Sequence, residues 1–509
     1  MKNIYFMTID LGTSFVKAGI YDTEGRCLAV TQSSVQSDSS RPGVFVQGGE
    51  EILNNVLSCV RRVTGIFGSE SSKIAAIGFT GQMAGFIGVD KEWNDITSWS
   101  CSLDTRYVPY AEKQMADFGA DFLEISGTNA PLMAPKCEWF VEEFPDQARY
   151  IAKYMLISSY VIGKLGSCRI EDAAVGSSYI TWTGLADVKT GEWSELLCKR
   201  AGISRKLLPR IVKYNEICAH LDSKMAKIMG LKPGIPLVAG AGDKIAGCIG
   251  SGILNTGDMI FEASSYGALS CLVDEYRPNK TQKDYDAIPS LLNGQFYIHK
   301  YLPGSGITLK WFLDTFSETA MDWKRAFSSI EESAKKIACG SEGLMAVGLL
   351  GGSAMPFDGE LKGAWIGHTW SHKKGHFYKA LLESYGYELA ATIDSMKKMY
   401  PEWKDHTRIK MIGGGADSII WAQILADVTG YEFVRLNRND AALWGTAVLT
   451  GSGIGIFQSV KSVTERTIQE KDCVKPDYDN YEKYQKYKVI YSDIKKDVHN
   501  ACAKLKNAL

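Results

Sequence analysis

Apolar positions at the start of the chain run up to Asp10. A small polar bend follows at Gly12, Thr13 and Ser14, and after Lys17 a second apolar run covers Ala18 to Tyr21. This pattern predicts a strand, a tight turn and a second strand. The stretch KIAAIGFTGQ (73–82) is a short apolar run ending in a Gly-Gln turn and predicts a buried strand. Further on the period changes. Phe377, Leu381, Tyr385, Leu389, Ile393 and Met396 recur at helical spacing and predict an amphipathic helix. SIIWAQILADVTG (418–430) reads as a helix closed by Gly430, and residues 481–505 as a terminal helix with a charged, solvated face. Strands that alternate with helices argue for α/β layers.

The opening pattern has an echo. GDMIFEASSYGALSCLVDE (257–275) again reads as strand, small-residue turn, strand, near the start of the second half. Two related lobes, each offering a phosphate-facing hairpin, would leave a cleft between them. The glycines and turn residues of GSGILNTGD (250–258) break both neighbouring patterns, so the expected lobes are residues 1–250 and 258–509. A chain of 509 residues is also past the size at which single cores split.

Charge narrows the partners. The net charge is −1 and the pI about 6.7, which gives no electrostatic case for nucleic acid or an anionic membrane. No signal peptide is readable, and no stretch approaches the roughly 18 apolar residues of a membrane span. The 12 cysteines form no Cys-x-x-Cys pair and read as reduced thiols, so a cytoplasmic location is expected. His368, His372 and His376 have metal-ligand spacing, but Gly375 interrupts the stretch, and a solvated loop is the expected reading.

Three stretches carry candidate chemistry. At the opening bend, Gly12 permits close backbone approach, the hydroxyls of Thr13 and Ser14 suit phosphate oxygens, Asp10 suits Mg2+ and Lys17 adds positive charge. An ordinary hairpin with an aspartate at its turn explains the same residues. In VAGAGDKIAGCIGSG (238–252), Asp243 leaves a strand end surrounded by bare backbone. It could take a proton from a hydroxyl attacking phosphorus, or simply cap the helix that follows. In MIGGGADSIIWAQILADVTG (411–430), three glycines open a helix and would admit a phosphate or a flat group; a plain strand-to-helix turn explains them equally well.

Taken together and in order, Asp10-x-Gly-Thr-x-x-x-Lys17, Gly-x-Gly-Asp243 and Gly-Gly-Gly-Ala-x-Ser418 resemble the FGGY carbohydrate kinases, with the xylulokinase-like pentulose kinases as the nearest branch. Further matches are GQMAG (81–85), LDTR (103–106), SGTNAPLMAPKCEW (126–139), DVKTGEW (187–193), PGSGITLKWFLD (303–314), GGSAMPFDGELKGAWIG (351–367) and AALWGTAVLTGSGIG (441–455). The resemblance implies two ribonuclease-H-like lobes of the actin and heat-shock ATPase type, closing over ATP, Mg2+ and a sugar. It implies Asp243 as catalytic base and Asp10 at the metal. It implies Gly12, Thr13, Ser14, Lys17, Ser265, Gly306, Lys310, Gly414, Gly415 and Ser418 on the nucleotide side. Gln82, Met83, Ala84 and Asp104 fall at or beside the sugar.

Three departures stand out. Pentulose kinases usually read Gly-Gln-Met-His-Gly, where this chain has Ala84 in place of the histidine. Ser102 replaces the usual tryptophan two residues before Asp104, with Trp99 nearby as a substitute. The second phosphate turn, usually Gly-Thr-Ser-Gly, is Ser264-Ser265-Tyr266-Gly267. The expected activity is phosphoryl transfer from ATP to a ketose such as xylulose. A polyol or sugar-acid kinase and a non-catalytic sugar sensor are the alternatives, and a homodimer is compatible with the chain. The expected geometry has Asp10 and Asp243 facing each other across the interlobe gap.

Overall fold

The computed structural model describes residues 4–264, 266–291, 294–316, 323–355, 357–405, 407–506 and 508. Two large sheets organise it. The first has six strands in the order Ile217–His220, Pro236–Val238, Ile74–Gly81, Tyr5–Leu11, Phe15–Asp22 and Cys27–Ser34. The second has seven, in the order Asp286–Pro289, Phe296–Leu302, Gly267–Val273, Met259–Glu262, Arg408–Ile412, Glu432–Leu436 and Glu470–Val474.

The two sheets share one plan. Tyr5–Leu11 runs antiparallel to Phe15–Asp22 and parallel to Ile74–Gly81, which is parallel in turn to Pro236–Val238. Met259–Glu262 runs antiparallel to Gly267–Val273 and parallel to Arg408–Ile412, which is parallel to Glu432–Leu436. This is the mixed α/β, ribonuclease-H-like arrangement, present twice. Both hairpins expected from the sequence form, and so does the buried strand at 74–81.

The central strands are apolar on both faces because both faces are covered. Helix Gly49–Phe67 lies on one side of the first sheet, with Ile52, Val56, Val60 and Val63 buried. Helix Ala441–Gly453, far along the chain, lies on the other. Helix Asp243–Gly250 in turn packs toward the second sheet, where Lys410 Nζ donates to the carbonyls of Ser251 and Gly252, each at 2.9 Å. These two helices cross with their backbones in contact. A β-carbon on Gly250 would lie 1.9 Å from the Ala441 carbonyl oxygen, and one on Gly445 would lie 2.0 Å from that of Ala246. Only glycine allows this approach, so the crossing ties the two sheets together at one tight point.

The helices read from periodicity are present as Lys374–Met399, Ile419–Thr429 and Tyr478–Lys506. In the last, Tyr484, Tyr491 and Val498 form a buried stripe seven residues apart; most charges face solvent, and Lys488 and Lys495 pair with Asp394 and the buried Glu388. His368 and His372 precede the helix that contains His376, and no cluster of three His, Cys, Asp or Glu among the described residues is arranged to hold a metal. All 12 cysteines are free thiols. No helix among the described residues is long and apolar enough to cross a membrane.

Candidate active site

Parallel strands of the first sheet end at Leu11, Gly81 and Val238, so the segments that follow all emerge at one edge. Those segments are the turn Gly12–Ser14, the stretch Gln82–Ala84 and the approach to Asp243. Loops at the carboxyl ends of parallel strands are where α/β sheets hold ligands. Asp10 pairs directly across the hairpin with Lys17, which makes no ion pair among the described residues. Asp243 opens helix Asp243–Gly250, and its Oδ1 accepts the backbone N–H of Lys244 at 2.7 Å.

The expectation that Asp10 and Asp243 face each other across the gap is corrected here. Both belong to the first sheet's edge, because Asp10 stands near the end of Tyr5–Leu11 and Asp243 follows Pro236–Val238, two strands that run parallel to Ile74–Gly81. The acid that reaches in from the second lobe is Glu262, at the end of Met259–Glu262. Its Oε2 lies 2.7 Å from Lys244 Nζ.

Electrostatics bind these groups into one centre. Burial pushes the Asp243 carboxyl up to about 6; Lys244 opposes the shift, and the charges of Glu262 and Asp10 add to it. Burial likewise raises Asp10, with Lys17 and Lys244 pulling it back. Burial alone would lower Lys244, but Glu262 and Asp243 outweigh it and hold the ammonium above its ordinary value. Tyr179 and Tyr301 also feel the charge of Asp243. Asp10 offers a hard carboxylate oxygen of the kind Mg2+ takes. The ion takes hard carboxylate oxygens, keeps several waters and is completed by phosphates, so it needs no cage of three protein ligands.

The sugar-side residues adjoin this centre. Met83 is buried against the residue before the base: a β-carbon on Gly242 would lie 2.2 Å from Met83 Cγ. Gln82 Nε2 donates to Gln47 Oε1 at 3.4 Å, and Gln47 Nε2 donates to the Thr13 carbonyl at 2.7 Å, so the sugar-side stretch and the phosphate turn are linked. Ala84 is half-buried against the first lobe's core.

Asp104 is fully buried. Arg106 grips it through Nε at 2.9 Å and Nη2 at 2.7 Å, and Ser100 Oγ donates at 2.7 Å. Against the upward push of burial, Arg106, Lys136 and Ser100 hold its pKa below the ordinary carboxylate value. Burial lowers Lys136, beside it, to about 8. Trp99, the nearby candidate for the missing tryptophan's place, is fully buried and donates from Nε1 to Gln82 Oε1 at 3.2 Å, whereas Ser102 is exposed. Strand pairing at Trp99–Cys101 turns the indole inward.

On the second lobe, the turn after Glu262 meets two other segments. Gly306 N–H donates to the Ser264 carbonyl at 3.0 Å, and Gly415 N–H donates to the Ala263 carbonyl at 2.8 Å, with Gly414 beside it. Gly306, Gly414 and Gly415 are thus brought together. Ser265 lies outside the described residues. Lys310 is exposed on helix Ser305–Phe316 and pairs with Asp314 at 2.5 Å. Ser418 is buried; its hydroxyl caps helix Ile419–Thr429 by accepting from Trp421 N–H at 3.1 Å and also bonds Glu331.

Lys244, Glu262 and Gln47 were not singled out from the sequence. A signal existed for two of them. Lys244 follows the candidate base directly, and Glu262 stands two residues before the second turn, as Asp10 stands before the first.

Duplicated ribonuclease-H-like lobes that meet at a group of acids and a lysine define the two-lobed architecture shared by actin, hexokinase and the heat-shock ATPases. Family models for the N-terminal and C-terminal domains of the FGGY family of carbohydrate kinases match residues 5–250 and 273–453, and the chain belongs to that family. It is a sugar kinase that uses ATP as phosphoryl donor. Among similar proteins, the xylulose kinase of Bacillus subtilis (strain 168) is 25% identical, over 99% of this chain and 98% of its own. The gluconokinase of the same organism is 26% identical over 91% and 90%. The crystal structure of gluconate kinase from Lactobacillus acidophilus superposes with a TM-score of 0.89 at 20% identity, covering 99% of this chain and all of that one.

Proposed function

We propose that this sugar kinase phosphorylates a hydroxyl of a ketose, xylulose or a related pentulose or hexulose, with Asp243 as general base and Mg2+ held near Asp10. The observation that carries the reading is the position of Asp243. It stands at a helix start, half-buried, on the same sheet edge as Asp10, Lys17 and the first phosphate turn, with Met83 against the residue before it. One carboxylate oxygen is occupied by the Lys244 N–H, which leaves Oδ2 for the acceptor.

In the transfer, the acceptor oxygen forms a bond to the γ-phosphorus while the bond from that phosphorus to the β,γ-bridging oxygen breaks. The electron pair leaves with ADP, and the hydroxyl proton passes to Asp243. A base near pKa 6 is ionised at neutral pH and basic enough to orient and accept that proton. Mg2+, when bound, would offset phosphate charge. Lys17 would steady the phosphate tail. The lobes, read as 1–250 and 258–509, would close to exclude water, which competes as acceptor.

A sugar acid is the second reading. The relative named gluconokinase matches at the same level of identity as the one named xylulose kinase, and Ala84 lacks the histidine usual in pentulose kinases. ADP release measured with MgATP over ketoses, polyols and sugar acids separates the two. Turnover on ketoses that disappears in Asp243→Asn supports the first reading, and turnover confined to aldonates supports the second. An Asp243→Asn enzyme that keeps wild-type turnover on its best sugar would refute the base.

A further inference from the structure

Lys244 carries a cation to a point that the reaction scheme above leaves unused. Its backbone belongs to the first lobe, immediately after the base. Its ammonium reaches Glu262 of the second lobe at 2.7 Å, and the two side chains are 12% and 26% exposed. Glu262 ends the strand that leads into the second phosphate turn, two residues before Ser264. A carboxylate there has the wrong sign for a turn meant to hold phosphate. Its ladder partner in the second sheet is Ala268, so no lysine of its own hairpin neutralises it. The neutralising charge arrives only from the other lobe.

A largely buried ion pair loses in desolvation much of what it gains in attraction, so holding the lobes together is a weak reason for this pair. A lysine poised beside the transfer path has a stronger one. A γ-phosphoryl group brings more negative charge than one carboxylate and accepts charge-assisted hydrogen bonds from an ammonium. Resting on the kinase reading of this site, we infer that Lys244 is an exchange cation: Glu262 holds its ammonium before ATP binds, and the γ-phosphoryl group of ATP takes it over. Lys244 then stabilises the charge of the phosphoryl group in flight, next to the hydroxyl that Asp243 orients. Glu262 acts as a positioning residue that keeps the ammonium aimed at the cleft and gives it up.

Calorimetric titration with MgADP and with the non-hydrolysable MgAMP-PNP tests this without any sugar. In Lys244→Met, AMP-PNP affinity should fall about tenfold or more while ADP affinity stays within about twofold, because only the γ-position loses a partner. Lys244→Arg should recover most of the difference. Glu262→Gln should bind AMP-PNP about threefold more tightly, since the competitor for the ammonium has lost its charge. Any Lys244→Met result other than a loss selective for the γ-phosphoryl analogue overturns the assignment. So does a Glu262→Gln enzyme whose AMP-PNP binding is unchanged or weaker, the outcome of a simple latch. If Lys244→Met does not fold, the Glu262→Gln titration decides alone. Failure of the parent reading looks different: the wild-type chain would bind neither nucleotide, or Asp243→Asn would keep its turnover.

Discussion

The opening hairpins of the two sheets occupy equivalent places in equivalent topologies, yet they solve the charge problem differently. In the first, Asp10 lies across the ladder from Lys17, so acid and cation come from one hairpin. In the second, Glu262 lies across from Ala268, and its cation is Lys244, borrowed from the other lobe. The first edge therefore has a lysine of its own near its acid, with Lys244 adding to it, and it also carries the candidate base. The second takes its cation from the other lobe. A duplicated fold thus has two hairpins of the same topology whose acids find their cations differently, one within its own hairpin and one from the other lobe.

The largest test of that comparison is Asp243→Asn. Turnover should fall about 10³-fold, as expected for loss of a general base. The fold should gain stability at neutral pH. Because the native carboxyl is raised to about 6, the native state binds its proton more tightly than the unfolded chain. This group's favourable contribution is present below its unfolded value and is lost as pH rises through about 6. Thermal melts at pH 7.5 should place the asparagine variant above wild type. The same shift sets the pH profile: kcat/KM of the wild type should decline below about pH 6 as the base takes up its proton.

The comparison also depends on how the lobes are joined. Gly445→Val puts side-chain atoms where the Ala246 carbonyl already sits, and should cost about 3 kcal/mol in chemical denaturation. A variant as stable as wild type would mean that the crossing is loose. Asp10→Asn should cut turnover by about 100-fold and raise the Mg2+ concentration needed for half-maximal rate; an unchanged Mg2+ requirement would remove Asp10 from the metal. The smallest effect is expected from Lys17→Ala, which makes the first hairpin resemble the second. Nucleotide affinity should weaken by about tenfold, measured by titration, with the fold intact.

Local features were legible in the chain itself. The apolar runs at 5–9 and 18–21, the echo at 257–275 and the helical spacing from Phe377 to Met396 each became the element they announced. Hydrophobic period and turn residues are properties of neighbouring positions, and neighbouring positions decide strand, turn and helix. The run of motifs from Asp10 to Ser418 placed the chain among sugar kinases for the same reason: each motif is a local turn whose glycines and hydroxyls are visible in sequence.

What had to wait for the tertiary structure were relations between residues far apart in the chain. Trp99, the nearby substitute for the missing tryptophan, is buried and bonds Gln82 because strand pairing turned it inward. Asp10 and Asp243 looked like opposing walls and share one edge, because the strand that holds Asp10 and the strand that leads to Asp243 run parallel in one sheet. Lys244 and Glu262 drew no attention as single residues, and their pairing exists only where two sheets meet. Sequence alone determined which segments become strands, turns and helices here, and which of them carry acids, hydroxyls and lysines. The folded chain decided which of those groups meet, since a charge is neutralised by whatever lies a few ångströms away in space and not by what precedes it in the chain.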